Sequence, residues 1–263
     1  MYPPYFLNGG EKMQYFYDFK FGSKKLSDFG GVIINEDGWE ISNGLTSTKT
    51  TEKLPMRDGE LFMYETLNPR TITIPILIEQ DIDLDEFYAW LLDGEQELEF
   101  IGDNRKINAI LDNQIDFKCY YNNGFNGTTS LSFIAYDPYY RALNEDYKTL
   151  NTTVNQVQNV TNLGNTNSHP IIRFTPNGNQ SSVKIKVNDD TIILMDVTGE
   201  VVINCEKEEV TEYVNGEPRN AFAKFKSTDY YDFPMLKPYY TNKVTLLQGS
   251  VTNFKILPNS IWK

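Results

Sequence analysis

Residues 71–79 read Thr-Ile-Thr-Ile-Pro-Ile-Leu-Ile-Glu, and this run constrains the fold more than any other stretch. Side chains on a strand alternate between faces, so Ile72, Ile74, Ile76 and Ile78 point one way. Four β-branched residues on one face make a sheet face that covers a core. Proline cannot donate to a ladder, so Pro75 predicts an edge strand or a bulge. The period then changes. Leu84, Phe87, Tyr88 and Leu91 recur at i, i+3, i+4 and i+7, one stripe of a short helix. Asp83 is placed to cap it, and Glu86 predicts the second half of a capping box. Gly94 offers a left-handed stop, after which 96–101 reads as strand again. A helix this short is marginal alone in water, so it is expected to pack across the sheet of the first domain.

The rest of the chain repeats the period of two, broken by turn signals. Tyr15, Tyr17, Phe19 and Phe21 share one face, and Val32 to Ile34, Trp39 to Ile41 and Leu61 to Tyr64 are further short strands. Ile107 to Leu111 precedes alternating Ile115, Phe117, Cys119 and Tyr121, a loop around Asn122-Asn123-Gly124, and Leu131, Phe133 and Ala135. Residues 141–152 read as a polar linker, and the sparse valines Val154, Val157 and Val160 read as one strand. Val183, Ile185 and Val187 alternate with lysines. Asn188-Asp189-Asp190 and Thr198-Gly199-Glu200 are turns, and Asn215-Gly216 is a type I′ hairpin signal joining 209–214 to a strand near Ala221 to Lys226. Many short strands with frequent turns predict a mainly β chain of two domains, 1–143 and 144–263, each a β-sandwich and the first carrying the one helix. Residues 42–53 are polar and threonine-rich, with almost no apolar face. They read either as a disordered loop or as an exposed arm whose register a partner must fix.

The composition narrows the function. At 263 residues the chain holds two domains with ordinary cores. Its two cysteines, Cys119 and Cys205, make neither a disulfide framework nor a zinc site. No secretory signal or apolar membrane-spanning run is visible, so the expectation is a soluble protein made in a cytoplasm, with no membrane insertion. A net charge of −12 argues against a nucleic-acid partner, which needs a basic surface. His169 is the only histidine, so no Ser-His-Asp or Cys-His arrangement can be built without it, and it is expected to be structural. Asp81, Asp83 and Asp85 do not complete a calcium loop, because Glu86 stands where that loop needs glycine and Leu92 where it needs glutamate. Glu206, Glu208 and Glu209 read as a solvated hairpin end, and nothing singles out a carboxylate pair. The chain therefore reads as no enzyme, with no cofactor and no metal.

Several stretches, in order, resemble the distal tail proteins of bacteriophages with long non-contractile tails. They are Phe19-Lys20-Phe21-Gly22-Ser23 with Ser27-Asp28-Phe29-Gly30, Leu54-Pro55-Met56-Arg57-Asp58-Gly59 followed by Arg70 to Ile78, and Ala89-Trp90-Leu91 running into Glu97-Leu98-Glu99-Phe100. Thr129 to Phe133 with Asp137-Pro138, Asn162-Leu163-Gly164-Asn165 with Pro170, and Asp232 to Pro238 complete the set. The family often has glycine after the second proline of that last stretch, where this chain has Tyr239. The resemblance implies a virion protein of the tail tip, assembled in the host cytoplasm as a ring, usually a hexamer. It implies an N-terminal domain that builds the ring and a galectin-like C-terminal sandwich that projects outward. The polar arm at 42–60 would embrace the neighbouring subunit. Thr46, Thr48 and Thr50 on that arm, with Arg57, Asp58 and Arg70 beside it, are the ring-interface candidates. The implied partners are the tail tube protein, the tail-associated lysin or tip protein, and a receptor-binding protein.

A second reading is a carbohydrate-binding sandwich that contacts cell-wall glycans. Sugar rings stack on exposed aromatic faces, which makes Tyr239 and Tyr240 the candidates, with Tyr230, Tyr231 and Trp262 as further aromatics. The His, Asn, Arg and Trp cluster that galectins use for sugar is not found, so a galectin-like fold does not by itself imply sugar binding.

Overall fold

The computed structural model describes residues 17–34, 45–119, 127–178, 180–227 and 232–263. The expected strand residues before Tyr17, the strand Trp39 to Ile41, the loop around Asn123, and Tyr230 and Tyr231 lie outside the described residues. The chain divides into two compact units. One is Met1–Asp103 with Asn108–Asp137, and the other is Asn104–Ile107 with Pro138–Lys263.

The first unit contains β1 (Phe19–Phe21), β2 (Lys24–Lys25), β3 (Gly31–Ile33), β4 (Ser47–Glu52), β5 (Leu61–Leu67) and β6 (Arg70–Ile78). Helix α1 (Leu84–Leu91) follows, then β7 (Gln96–Phe100), β8 (Arg105–Leu111), β9 (Lys118–Cys119) and β10 (Gly127–Ala135). The division between units falls within β8. The main sheet runs β2-β1-β7-β8-β10-β6-β3, all antiparallel where register is set. The four isoleucines of β6 are buried as their spacing predicts, between 0% and 3% exposed. β6 is not at the edge, however. It pairs with β10 without interruption from Arg70↔Ala135 to Ile78↔Gly127. Pro75 is tolerated because its carbonyl turns to the other side and accepts from Ile34 N–H at 2.9 Å. The N–H and C=O of one strand residue point the same way, so the donor that proline lacks is not one that β10 needs.

The sheet closes on itself through aromatic side chains. Phe21 and Phe133 have ring centroids 5.0 Å apart, although β1 and β10 are not hydrogen-bonded neighbours. Helix α1 seals this core with Phe87, Trp90 and Leu91 buried. Trp90 stacks on Phe19 and Phe29 at 5.8 and 4.9 Å, and its indole N–H donates to the Phe21 carbonyl at 2.7 Å. The buried stripe is thus rotated one position from the predicted one, because Trp90 has more apolar area to cover than Tyr88. Asp83 caps the helix, accepting from Asp85 and Glu86 N–H at 2.9 and 3.3 Å. The expected capping box is not made, since Lys24 binds the Glu86 carboxylate.

The second unit contains β11 (Tyr140–Ala142), β12 (Lys148–Thr149), β13 (Val157–Thr161), β14 (Ile171–Pro176), β15 (Gln180–Val187), β16 (Asp190–Val197) and β17 (Glu200–Asn204). It continues with β18 (Glu209–Val214), β19 (Glu217–Asn220), β20 (Phe225–Ser227), β21 (Thr241–Gln248), β22 (Val251–Leu257) and β23 (Ile261–Trp262). Two antiparallel sheets face each other, ordered β12-β22-β14-β17-β18-β19 and β13-β21-β15-β16-β20. Their inner faces meet in one core. Ile172, Phe174, Ile203 and Phe254 come from the first sheet, and Val183, Ile185, Leu194 and Leu246 from the second. This is the sandwich that the alternation predicts.

Two expectations in this unit are corrected. Residues 141–152 are no free linker: β11 pairs with β23 and with Arg105 and Lys106, β12 pairs with β22, and Glu145 accepts from Ser260 N–H at 2.8 Å. The backbone of this segment is fixed by strand pairing while most of its polar side chains stay exposed, which is why it resembled a linker. The Asn215-Gly216 turn is a hairpin with both φ positive, +55° and +84°, but β18 pairs with 217–220 rather than with 221–226. Ala221 ends that pairing and the chain crosses to the other sheet as β20.

Candidate assembly interface

β4 and β5 form a two-stranded ribbon that pairs with no other strand among the described residues. Its base is closed by Asn68. The Asn68 N–H donates to the Thr46 carbonyl at 2.9 Å, its Nδ2 donates to Thr46 Oγ1 at 3.1 Å, and its Oδ1 accepts from Thr48 Oγ1 at 2.8 Å. Ser47 binds Glu65, and Thr51 binds Glu60. The threonines that made this stretch look unstructured therefore hold the two strands in register.

The apolar residues of the ribbon strands are all on β5, and four successive ones are uncovered. Leu61, Phe62, Met63 and Tyr64 are 43%, 55%, 50% and 56% exposed. A register shift lets Thr50 face Tyr64 while Thr51 faces Phe62, so Met63 is the extra residue of a bulge. Residues directly opposite share a face. Tyr64 and Leu61 thus lie with Thr48, Thr50 and Glu52, and Phe62 lies with Ser47, Lys49 and Thr51. Both faces carry large apolar side chains. An isolated hairpin is marginally stable in water, and contiguous exposed apolar surface of this kind marks an interaction surface.

The candidates on this arm sit as follows. Thr46 and Thr48 are exposed and Thr50 is half-buried, all on or beside β4, while Arg57 and Asp58 are exposed at the tip between the strands. Arg70 differs from the expectation. It opens β6 and is 1% exposed, so it lies inside the chain and not on a surface free to meet a neighbour. The run of four exposed apolar residues at 61–64 reads from the sequence only as a short strand. The signal of its exposure is present there: a strand whose apolar residues do not alternate has no single face to bury.

Of the aromatic candidates, Tyr239 and Tyr240 are 86% and 61% exposed, while Trp262 is half-buried in β23. His169 is half-buried, and its carbonyl accepts from Asn259 Nδ2 at 3.1 Å. Glu206 is exposed, as the hairpin-end reading expects, and it also binds Arg141 and Asn259. Burial raises its carboxyl, but hydrogen bonds from Arg141 and Asn259 and the charges of Arg141 and His169 outweigh that and hold it below the ordinary value. Glu212, which carried no sequence signal, is 3% exposed. It accepts from Thr198 and Gly199 N–H at 2.7 and 3.1 Å and from Lys224 Nζ at 2.7 Å. Burial opposes its charge, yet these bonds and the Lys224 charge hold its carboxyl down at about 2. Gly199 is required there, because a Cβ would stand 2.0 Å from the Tyr213 carbonyl oxygen. Both carboxylates are engaged in tying strands and turns together. Among the described residues no group of three or more His, Cys, Asp and Glu could hold a metal ion, and no helix is long and apolar enough to cross a membrane.

No protein-family model and no curated protein sequence matches the chain. Solved structures do. The crystal structure of the Dit protein (gp 19.1) of phage SPP1, described as a paradigm of the hub adsorption apparatus in phages infecting Gram-positive bacteria, is similar with a TM-score of 0.65. The two share 16% identity, over 92% of this chain and 98% of that one. This chain has the Dit fold. Chains of the phage p2 baseplate in its activated conformation, with strontium or with calcium, match with TM-scores of 0.48 and 0.44 at 9% and 10% identity. They cover 91% and 92% of this chain and 96% of each baseplate chain. The Dit fold is that of the family the sequence resembles.

Proposed function

We propose that this chain is a structural hub protein of a bacteriophage tail tip and that six copies of it close into a ring. The fold shared with SPP1 Dit over nearly the whole of both chains supports this reading. What carries it is the β4–β5 ribbon, a formed hairpin with apolar residues uncovered on both faces. A ring needs two different complementary surfaces on each subunit. A projecting ribbon supplies one of them, with apolar side chains for burial and unpaired strand edges for hydrogen bonding. In this reading the segment 1–143 builds the ring through Thr46, Thr48, Thr50, Arg57 and Asp58 together with Leu61 to Tyr64, and 144–263 is the galectin-like domain. The ring joins the tail tube protein to the tail-associated lysin or tip protein and offers a seat to a receptor-binding protein.

The test is native mass spectrometry over a concentration series, with negative-stain imaging of the largest species. The chain is compared with a variant in which a short Gly-Ser link replaces residues 47–67. The expected result is a six-membered ring for the first and a folded monomer for the second. A ring that persists without the ribbon overturns the proposed interface.

A further inference from the structure

Tyr239 has a left-handed backbone conformation, φ +56°. Glycine adopts this freely, and a bulky side chain adopts it only at a cost. The side chain gains nothing inside the protein in return, since it is 86% exposed. The loop is nevertheless fixed. Asn242, fully buried, donates from Nδ2 to the carbonyls of Lys237 and Tyr240 at 3.0 and 3.2 Å. Its Oδ1 accepts from Lys237 N–H at 2.8 Å and from Asn188 Nδ2 at 2.9 Å. Leu236 exchanges both backbone bonds with Ser168, at 2.8 and 3.0 Å. A rigid loop that holds an ill-suited residue outward points to a role for the ring beyond the chain.

The surroundings limit what that ring meets. Much of the loop's backbone is already bonded inward, so a peptide adding as a strand finds no ladder. Tyr239 and the 61% exposed Tyr240 offer roughly 300 Å² of ring surface. Even with Leu163 beside Asn162, which bridges to Pro238, this stays well under the ~800 Å² per partner of a standard protein interface. It suits one or two pyranose rings, whose C–H faces lie against aromatic faces while their hydroxyls reach outward. Lys237 Nζ stands 5.9 Å from the Tyr240 ring centroid and places its N–H donors at the rim. We propose that Tyr239 and Tyr240, with Lys237 beside them, form a saccharide-stacking site on the second unit. The site does not depend on the ring assembly.

The full chain is titrated with cellotetraose, chitotetraose and tetragalacturonate, followed by saturation-transfer NMR. At least one probe is expected to bind in the millimolar range, and Tyr239→Gly and Tyr240→Ala are each expected to weaken it tenfold or more. Tyr239→Gly removes the ring and relieves the backbone, so its melting temperature stays level or rises, which separates lost contact from lost folding. Lys237→Ala weakens tetragalacturonate more than cellotetraose. The proposal fails if none of the three probes binds, or if Tyr239→Gly binds as the parent does.

Discussion

β5 and β6 are successive strands of the same unit, separated only by Asn68 and Pro69, and they meet opposite fates. β6 alternates strictly, and its isoleucines are buried on one face of the sheet. β5 is as apolar over 61–64, yet it does not alternate, and among the described residues it pairs only with the polar β4. Strand formation needs backbone partners, and both strands have them. Burial needs one consistent face, and only β6 has it. The apolar content of a segment thus reports how much surface it must cover, and the periodicity reports whether its own chain does the covering.

This contrast is open to direct attack. Ile76→Asp on β6 places a charge among fully buried side chains and is expected to cost more than about 4 kcal/mol, seen as lost near-ultraviolet dichroism and lost amide protection across the first unit. Polar burial in the second unit gives the next largest effect. The Glu212 carboxyl is held at about 2, below its ordinary value, so the folded state favours the charged form. Its contribution is full above the ordinary carboxylate range and fades as pH falls toward 2. On the order of 3 kcal/mol is expected to be lost across that window, in urea melts taken at successive pH. Glu212→Gln is expected to remove that dependence, and a slope left unchanged would refute the assignment. Asp83→Ala removes only the cap of α1 and is expected to cost about 1 kcal/mol, read from the urea midpoint. The paired substitution Phe62→Ser and Tyr64→Ser on the ribbon is expected to shift stability by less than about 0.5 kcal/mol. It is nevertheless expected to abolish the proposed ring in native mass spectrometry. A large loss of monomer stability would mean that the ribbon serves its own chain after all.

Local chemistry made the regular parts legible in the sequence. The β6 isoleucines, the Asp83 cap and the Asn215-Gly216 turn each carry their structure within a few residues, and each is found as expected. What escaped depends on distant partners. Arg141 meets Glu206 across 65 positions, Glu145 meets Ser260 across 115, and Glu212 is buried because Lys224 and a turn enclose it. Polar residues look alike whether water or protein satisfies them, which is why 141–152 read as linker. The ribbon lay between these cases. Its threonines left both loop and arm open, and Arg70, only three residues beyond β5, resembled a surface charge.

The sheet order of the second unit also sets a timetable. β22 lies between β12 and β14, and β21 between β13 and β15, so the strands made first wait for nearly the last. At roughly 5–20 residues per second of synthesis, β13 emerges several seconds before β21 exists to pair with it. Until then two nascent strands present open edges to whatever else is in the cell. Neither sheet can be completed residue by residue as the chain is made, and both must close late.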